Sequence, residues 1–474
     1  MNIRSKLKRT FLALAVCSAA LGVSVQAAEA EPIPLRGVVE GFYGTPWKQA
    51  DRMDIIKFCA EHGMNAYIYA PKDDPYHRDK WREPYPTGEL NKLKQLATTA
   101  REQGVRFVFA VSPGLDIHFN GAAAYRDRDY MIKKLTALYD AGVRDFAIFF
   151  DDIKDKSGKD QAEFLNWISR EFVHTHRDVS PLITVPTEYF LEDMEENGLR
   201  KTYTKAFSET LDRDVLVLYT GNRVVGDSLS DEDYQKGSSL YQRALGIWWN
   251  YPVTDYMEAK LALGPIEKLP THAAIPAVFF NPMKYERLSK ISLATGADYA
   301  KEPKDYDPTK SWQKNIRAQY GRLATDMMRF ADQSQEMDNH SWAKCGPADG
   351  TELHAKMDAF WAAWKGRQDI SPSASALDRN LAALERSCKR LQDELPNRTL
   401  KECLPQLQQL QRIAAADRAG LKLLCDTRSG KTVSKSERKG FAEQCKEVRA
   451  HDKKAVIAEK TARALLDQIE AELK

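Results

Sequence analysis

Two adjacent aspartates close the apolar run FAIFFDD at residues 146–152, and their spacing limits the chemistry open to them. Carboxylates held side by side cannot both ionise easily, so one proton affinity rises and the other falls. Such a pair offers an acid and a base at one pH, which is what glycoside cleavage requires. Ordinary glycosidases place their two carboxyls on opposite sides of the scissile bond, about 5–5.5 Å apart when retaining and about 6.5–9.5 Å apart when inverting. Neighbours leaving one strand hardly reach both faces of a sugar ring. The pair fits better a substrate that brings its own nucleophile, as the 2-acetamido oxygen of N-acetylglucosamine (GlcNAc) does. One aspartate then orients the acetamide N–H, while the other protonates the leaving oxygen and later deprotonates water. On these residues alone, a metal-binding aspartate pair and a helix cap stand open beside that reading.

The elements that must position such a pair recur along the chain. Apolar runs lie at 35–42, 64–71, 105–113, 144–152, 182–189, 214–221, 244–250 and 275–282, rich in β-branched and aromatic residues and bounded by Gly, Pro, Asn or Asp. Their starts fall about 29 to 41 residues apart, enough for a crossover helix in each interval. Several intervals carry apolar residues at helical spacing and stop at a glycine, as at Gly63 and Gly142. Eight such units predict a (β/α)8 barrel over residues 31–310. A doubly wound sheet is disfavoured, because EGFYGTPW after the first run is no GxGxxG turn. A barrel places its active site at the C-terminal strand ends. Those ends read Glu40 and Tyr43, Lys72 with Asp73 and Asp74, Asp116, and Asp151 with Asp152. Glu188 and Tyr189, Thr220 with Asn222, Trp248 with Asn250 and Asp255, and Asn281 follow. Polar strand ends are ordinary, but Trp, Tyr and Lys recurring straight after buried runs suit a sugar, whose C–H faces stack and whose hydroxyls need partners.

Composition bounds the rest. With 70 Lys and Arg against 67 Asp and Glu, the net charge of +3 gives no reason to invoke nucleic acid. Residues 1–30 join a basic start to a short apolar stretch and small residues, the pattern of a secretory signal peptide, so the protein is expected to be exported to a bacterial periplasm or secreted. No later apolar run is long enough for a membrane span. In an oxidising compartment disulfides are expected, with Cys388–Cys403 and Cys425–Cys445 the local pairings to try first, and Cys59 a packing thiol. No Cys and His spacing resembles a metal site, and no cofactor is expected. From about residue 311 to 474 the apolar spacing turns helical without strand-like runs, predicting an all-α domain after the barrel that lends a wall to the aglycone side.

At this point RGVVEGFYGTPW, YAPKDDPYHRDKWREPYP, VSPGLDI, FAIFFDDI, PTEY, LYTGNRVV, WWNYPVTDY and FFNP, taken in order, resemble the signatures of glycoside hydrolase family 84, the O-GlcNAcases and related bacterial β-N-acetylglucosaminidases. The resemblance covers roughly residues 33 to 310. It implies a (β/α)8 fold and retention by substrate assistance through an oxazoline. It also implies Asp151 polarising the acetamido group and Asp152 as general acid/base. Tyr189, Asn250, Trp248 and Thr220 would hold the acetamide, Asp255 the sugar's O4 and O6, Asn281 a neighbouring hydroxyl, and Lys72 with the backbone at Gly37 the O3 side. Glu40 is structural by the same resemblance, and Tyr43 and Trp47 stay outside the site. Many bacterial members carry a further domain before the barrel, whereas here only a few residues separate the leader from LRGVVEG.

The expected activity is exo-hydrolysis of terminal β-linked GlcNAc, with O-GlcNAc on glycoproteins among the substrates. Two readings compete with it. A hyaluronidase-like endo-hexosaminidase is disfavoured because Asp255 and Asn281 would close the non-reducing end. A GlcNAc-binding protein without turnover has no use for two strained carboxylates.

Overall fold

The computed structural model describes residues 31–154 and 157–473; the predicted signal peptide lies outside the described residues. Eight strands form a closed parallel barrel: β1 (Leu35–Glu40), β2 (Ala66–Tyr69), β3 (Arg106–Val111), β4 (Asp145–Phe149), β5 (Ile183–Val185), β6 (Leu216–Tyr219), β7 (Gly246–Trp249) and β8 (Ala277–Phe280). Each pairs with its neighbours in chain order, and β8 closes on β1. Every apolar run picked out in the sequence contains one of these strands.

Alternation along each strand divides the apolar residues into two cores. Val39, Ile68, Ala147, Phe149, Val185, Leu218, Trp248 and Phe279 belong to the cluster filling the barrel. Their sequence neighbours Val38, Tyr67, Phe146, Ile148, Val217, Ile247 and Phe280 pack outward among the helices. Gly37, in register with Ala66 on β2, sits where a Cβ would fall 1.8 Å from the Ala66 carbonyl oxygen. Its smallness lets β1 and β2 approach, so it serves the barrel wall.

Helices Gln49–Glu61, Thr87–Glu102, Gly121–Asp140, Gly158–Glu171, Thr202–Thr210, Asp231–Tyr241 and Glu286–Lys301 cover the barrel. The interval between β7 and β8 departs from the expected rhythm: among its residues only Asp255–Met257 form a helical turn. Later chain covers that gap. Leu263 exchanges backbone hydrogen bonds with this covering layer, donating to the Ser334 carbonyl (2.8 Å) and accepting from the Trp312 indole (2.7 Å).

The region after the barrel is helical, with Pro308–Tyr320, Ala324–Ala331, Thr351–Lys365, Ser371–Glu394, Asn397–Arg428, Lys435–His451 and Ala462–Glu472. One feature was not expected there: an antiparallel hairpin, Met337–His340 with Ala343–Cys345. Its polar sequence, MDNHSWAKC, lacks the alternation by which a strand is recognised. The helical region is tied to the barrel by specific bonds. Glu402 accepts the backbone N–H groups of Arg287 (3.3 Å) and Leu288 (3.0 Å), capping the start of Glu286–Lys301. Gln406 donates to the Ala259 carbonyl (2.8 Å), and Arg398 pairs with Asp51 (2.6 Å).

The expected disulfides do not form: Cys59, Cys345, Cys388, Cys403, Cys425 and Cys445 are all free thiols. Cys388, Cys403 and Cys445 lie buried on packing faces of their helices, where a thiol behaves as a small apolar group. Burial pushes Cys403 up to about 12 and Cys445 up to about 11, which withholds the thiolate that disulfide exchange needs. Among the described residues no helix is long and apolar enough to cross a membrane, and no group of three or more His, Cys, Asp or Glu is placed to hold a metal ion.

Candidate active site

The C-terminal strand ends open into a cavity of about 420 Å³, within the range of small-molecule sites. Asp151 and Asp152 both line it, and the backbone explains how neighbours manage this. Strand parity puts Asp151 on the inward side with Ala147 and Phe149. Asp152 would point among the helices if the strand continued. A left-handed φ of 57° turns the chain at that residue and brings its carboxyl back to the cavity. Aspartate tolerates this conformation better than most side chains.

The two carboxylates have different partners. Asp151, 9% exposed, forms an ion pair through Oδ2 with the Lys72 ammonium, itself buried. Its Oδ1 is buried and meets no hydrogen-bond donor among the described residues. A buried acceptor without a donor is costly, so this oxygen is a place for a ligand N–H. Asp152 accepts from the Tyr43 hydroxyl through Oδ2 (2.7 Å) and from the Tyr189 hydroxyl through Oδ1 (2.8 Å). Burial works to raise the Asp152 carboxyl, but Lys72, the two tyrosine hydroxyls and the Arg78 guanidinium outweigh it and hold the group below the usual carboxylate range. Mutual repulsion was the sequence expectation for this pair. The Lys72 ammonium, seated between strand ends, offsets much of that repulsion.

The opposite wall is a hydrogen-bonded frame. Asn250 Oδ1 accepts from the Trp248 indole (2.8 Å) and from Asn281 Nδ2 (2.9 Å), while Asn250 Nδ2 donates to the Val224 carbonyl (2.7 Å). Asn281 Oδ1 accepts the Gly41 N–H (3.3 Å). A Cβ on Gly41 would fall 2.3 Å from the Trp248 ring, so this glycine makes room for the indole. Trp248 packs edge-on against Phe149 with ring centres 5.5 Å apart. Asp255 Oδ2 accepts the Tyr43 N–H (2.8 Å), and burial raises its carboxyl. The Thr220 hydroxyl is spent on the Arg223 carbonyl (2.7 Å), leaving Thr220 to contribute shape.

Of the residues singled out in the sequence, Lys72, Asp151, Asp152, Tyr189, Thr220, Trp248, Asn250, Asp255 and Asn281 all line this cavity. Gly37 does not, being four residues too early in β1; the lining glycine of that segment is Gly41. Several other rim residues turn inward to structural work. Glu40 accepts from Arg52 Nε and Nη2 (each 2.8 Å), the Trp47 N–H (3.1 Å) and the Tyr67 hydroxyl. Asp74 holds the hydroxyls of Tyr69 and Tyr85, and Glu188 caps helix Thr202–Thr210 through Thr204. Sequence reasoning missed Val224, Val253, Tyr256 and Trp342, and set Tyr43, which lines the cavity, outside the site. Tyr43 was visible in GFYGTPW and passed over. Trp342 carried no signal, because it comes from the hairpin far beyond the barrel.

Paired carboxylates over an aromatic-walled cavity at the mouth of a (β/α)8 barrel are the build of a glycoside hydrolase. Comparison with known proteins supplies the family. Residues 36–332 match the beta-N-acetylglucosaminidase family model, and residues 352–466 match a hyaluronidase post-catalytic domain-like model. The chain belongs to the beta-N-acetylglucosaminidase family. It is 32% identical over 276 residues to Protein O-GlcNAcase of Mus musculus and to that of Rattus norvegicus; the match spans 56% of this chain and 30% of the length of those relatives. The solved structure of CpGH84B superimposes with a TM-score of 0.87 at 41% identity, covering 93% of this chain and 77% of that one. A mutant O-GlcNAc hydrolase of Thermobaculum terrenum superimposes at 0.80 with 25% identity, covering 92% and 94%.

Proposed function

We propose that the chain is a retaining exo-β-N-acetylglucosaminidase that removes terminal β-linked GlcNAc, including O-GlcNAc on glycoproteins, with the substrate's acetamido oxygen as nucleophile. The observation that carries this reading is the division of labour between the two aspartates. Asp151 keeps one buried oxygen without a donor among the described residues, an acceptor for the acetamide N–H. Asp152, hydrogen-bonded by the Tyr43 and Tyr189 hydroxyls, can exchange a proton with the glycosidic oxygen. The acetamide oxygen attacks C1 as the C1–O bond breaks, and Asp152 gives its proton to the departing oxygen. Asp151 stabilises the cationic oxazoline ring. Asp152 then takes a proton from the water that opens it, and two inversions at C1 give net retention.

The surroundings of Asp152 hold its carboxyl below the usual range, whereas the first step needs it protonated. A bound sugar excludes water from the carboxyl and stands between it and Tyr43, and both changes favour the proton. Asp255 and Asn281 are assigned the outer hydroxyls of the sugar, which makes the cavity a closed end for an exo-acting enzyme. The leader at residues 1–30 supports export to the periplasm or the medium. N-terminal sequencing of the secreted protein checks that assignment.

The test is hydrolysis of a fluorogenic β-GlcNAc glycoside by residues 31–474, with proton NMR following the anomer first released. Turnover with the β-anomer appearing first is expected. Absence of turnover at every mildly acidic or neutral pH would leave a GlcNAc-binding protein as the better account. Fall of hyaluronan viscosity without release of monosaccharide would favour endo-cleavage.

A further inference from the structure

Two walls of the cavity come from segments far apart in the chain, and a third segment fastens them together. The first wall is the loop after β7, which carries Asp255 and Tyr256. The second is the hairpin, whose tip presents Trp342. That side chain lines the cavity while 45% exposed, lies stacked on His340 (5.3 Å, 21°) and meets Tyr256 edge-on (5.0 Å). The hairpin has little backbone support on the barrel side: the Lys344 N–H reaches the Val225 carbonyl at 3.4 Å.

The third segment is 456–461, just before the last helix. Val456 donates its N–H to the Ala259 carbonyl (3.0 Å) beside Tyr256, and Ala458 donates to the Gln333 carbonyl (3.0 Å) at the foot of the hairpin. Between them Glu459 divides its carboxylate. Oε2 pairs with the ammonium of Lys260 (2.5 Å), a loop lysine only 3% exposed. Oε1 accepts from Asn339 Nδ2 (2.9 Å) on the hairpin. Lys260 also reaches Asn339 Oδ1 (3.5 Å), so the three side chains form a closed triangle. Next to it Lys460 bonds Glu336 (2.9 Å), just before the hairpin, and Asp338 (2.7 Å) on its first strand.

We propose that Glu459 is a positioning residue that clamps the Trp342 hairpin to the Asp255–Tyr256 loop, and so sets how the enzyme holds the group attached to the sugar. The charge has a specific task. A half-buried carboxylate that pairs with the buried Lys260 ammonium and shares its second oxygen with Asn339 holds both walls at once. Lys260 is nearly buried, so without Glu459 it carries an ammonium in need of a partner, and the loop must shift to let it reach water. Of the sugar's partners Asp255 shares that loop, but the Tyr43 N–H holds its carboxylate to the segment after β1 (2.8 Å), so the sugar half would feel the shift less than the aglycone side. Glu459 touches none of the reacting atoms. The inference rests on the glycosidase reading, and its test separates the two.

The full chain is compared with Glu459→Ala, Glu459→Gln, Trp342→Ala and the Glu459→Ala/Trp342→Ala double variant on an aryl β-GlcNAc glycoside. Free GlcNAc serves as a competitive inhibitor that reads the sugar half alone. Glu459→Ala should raise KM up to about 5-fold, no more than the loss of the Trp342 contact it positions, with kcat little changed and GlcNAc inhibition weakened less. Glu459→Gln, which keeps one acceptor, should fall between wild type and Ala. The double variant should be no worse than the worse single one, since both act through one side chain. Effects that multiply, or an equal loss of GlcNAc inhibition, would overturn the proposal. A second measurement is independent of turnover: amide exchange at 337–345 should quicken in Glu459→Ala while the barrel strands stay protected. Unchanged exchange there would also overturn it. A wild-type chain that turns over no β-GlcNAc glycoside, yet shows faster hairpin exchange in the variant, defeats the glycosidase reading and leaves the clamp standing.

Discussion

The inner and outer halves of the cavity are built on different principles. Asp151, Asp152, Tyr189, Trp248, Asn250 and Asn281 stand at or just beyond strand ends, and the ladder of a closed barrel fixes their relative heights. Trp342, Tyr256 and Val225 stand on a hairpin and two connections, placed by side-chain bonds between segments remote in sequence. A strand end cannot move without breaking several backbone bonds, so the inner half suits chemistry, where small displacements are costly. The outer half can change without disturbing the barrel, which suits recognition of varied groups attached to one sugar.

Four measurements sharpen or break this contrast. The largest effect belongs to Asp152→Ala, which should cost roughly 10²–10⁴-fold with a poor leaving group and less with an activated aryl glycoside. Azide should partly restore turnover of the aryl substrate, and its failure to do so would remove Asp152 from the acid/base role. Gly41→Ala comes next. Its methyl would fall 2.3 Å from the Trp248 ring and push the indole into the acetamide wall, and a loss of order 10²-fold in kcat/KM is expected from a folded protein. Near-normal kinetics would mean that the inner half is less rigid than the ladder implies. Trp342→Ala should be milder, about 5-fold in KM for an aryl glycoside, the scale of one aromatic contact, with free GlcNAc inhibiting as before. An equal loss for sugar and aglycone would erase the distinction between the halves.

The remaining measurement concerns pH, read at the active site and at the seam between the barrel and the helical region. Asp152 is held low in the empty site, and a bound sugar should raise it. Since kcat/KM reports the free enzyme and kcat the complex, the basic limb of kcat should lie at the higher pH. Coincident limbs would mean that the sugar leaves the carboxyl's surroundings unchanged. At the seam between barrel and helical region, burial pushes Glu286 up to about 7 against the pull of Lys290. Burial likewise raises Glu402 to about 7 despite the two N–H groups it caps. Both hold a proton more tightly folded than unfolded, where the reference value is 4.5. The folded chain therefore binds extra protons between those values, and stability falls as pH rises through that window. The melting temperature should drop by a few degrees between pH of about 5 and about 8, and Glu402→Gln should flatten the decline. A melting temperature that rises over this interval would show that other carboxylates dominate the balance.

Much of the inner half was legible because it depends on local patterns. A strand of a closed parallel barrel is buried on both sides, so its apolar run is continuous and its end abrupt. Wherever such a run ended, the next polar residues had to stand at the rim. That logic located Asp151, Lys72 and Asn281. The family resemblance, not that logic, put Gly37 at the site; its place in the barrel wall shows in the register with Ala66. The strand-end logic could not separate Asp152 from Glu188: both carboxylates follow a strand, but one turns to the cavity through a left-handed residue and the other buries itself at a helix start. The cysteines misled for a related reason, since spacing along helices says nothing about which faces meet.

What the chain alone determined, then, was the barrel, the order of its strand ends and the paired aspartates, because each is set by periodicity over a few residues. Which rim residues face inward, the replacement of the missing crossover helix by later chain, and the arrival of Trp342 beside Tyr256 were decided by the tertiary structure. Those features join residues separated by tens to hundreds of positions through single side-chain bonds. Such bonds impose no repeat on the sequence.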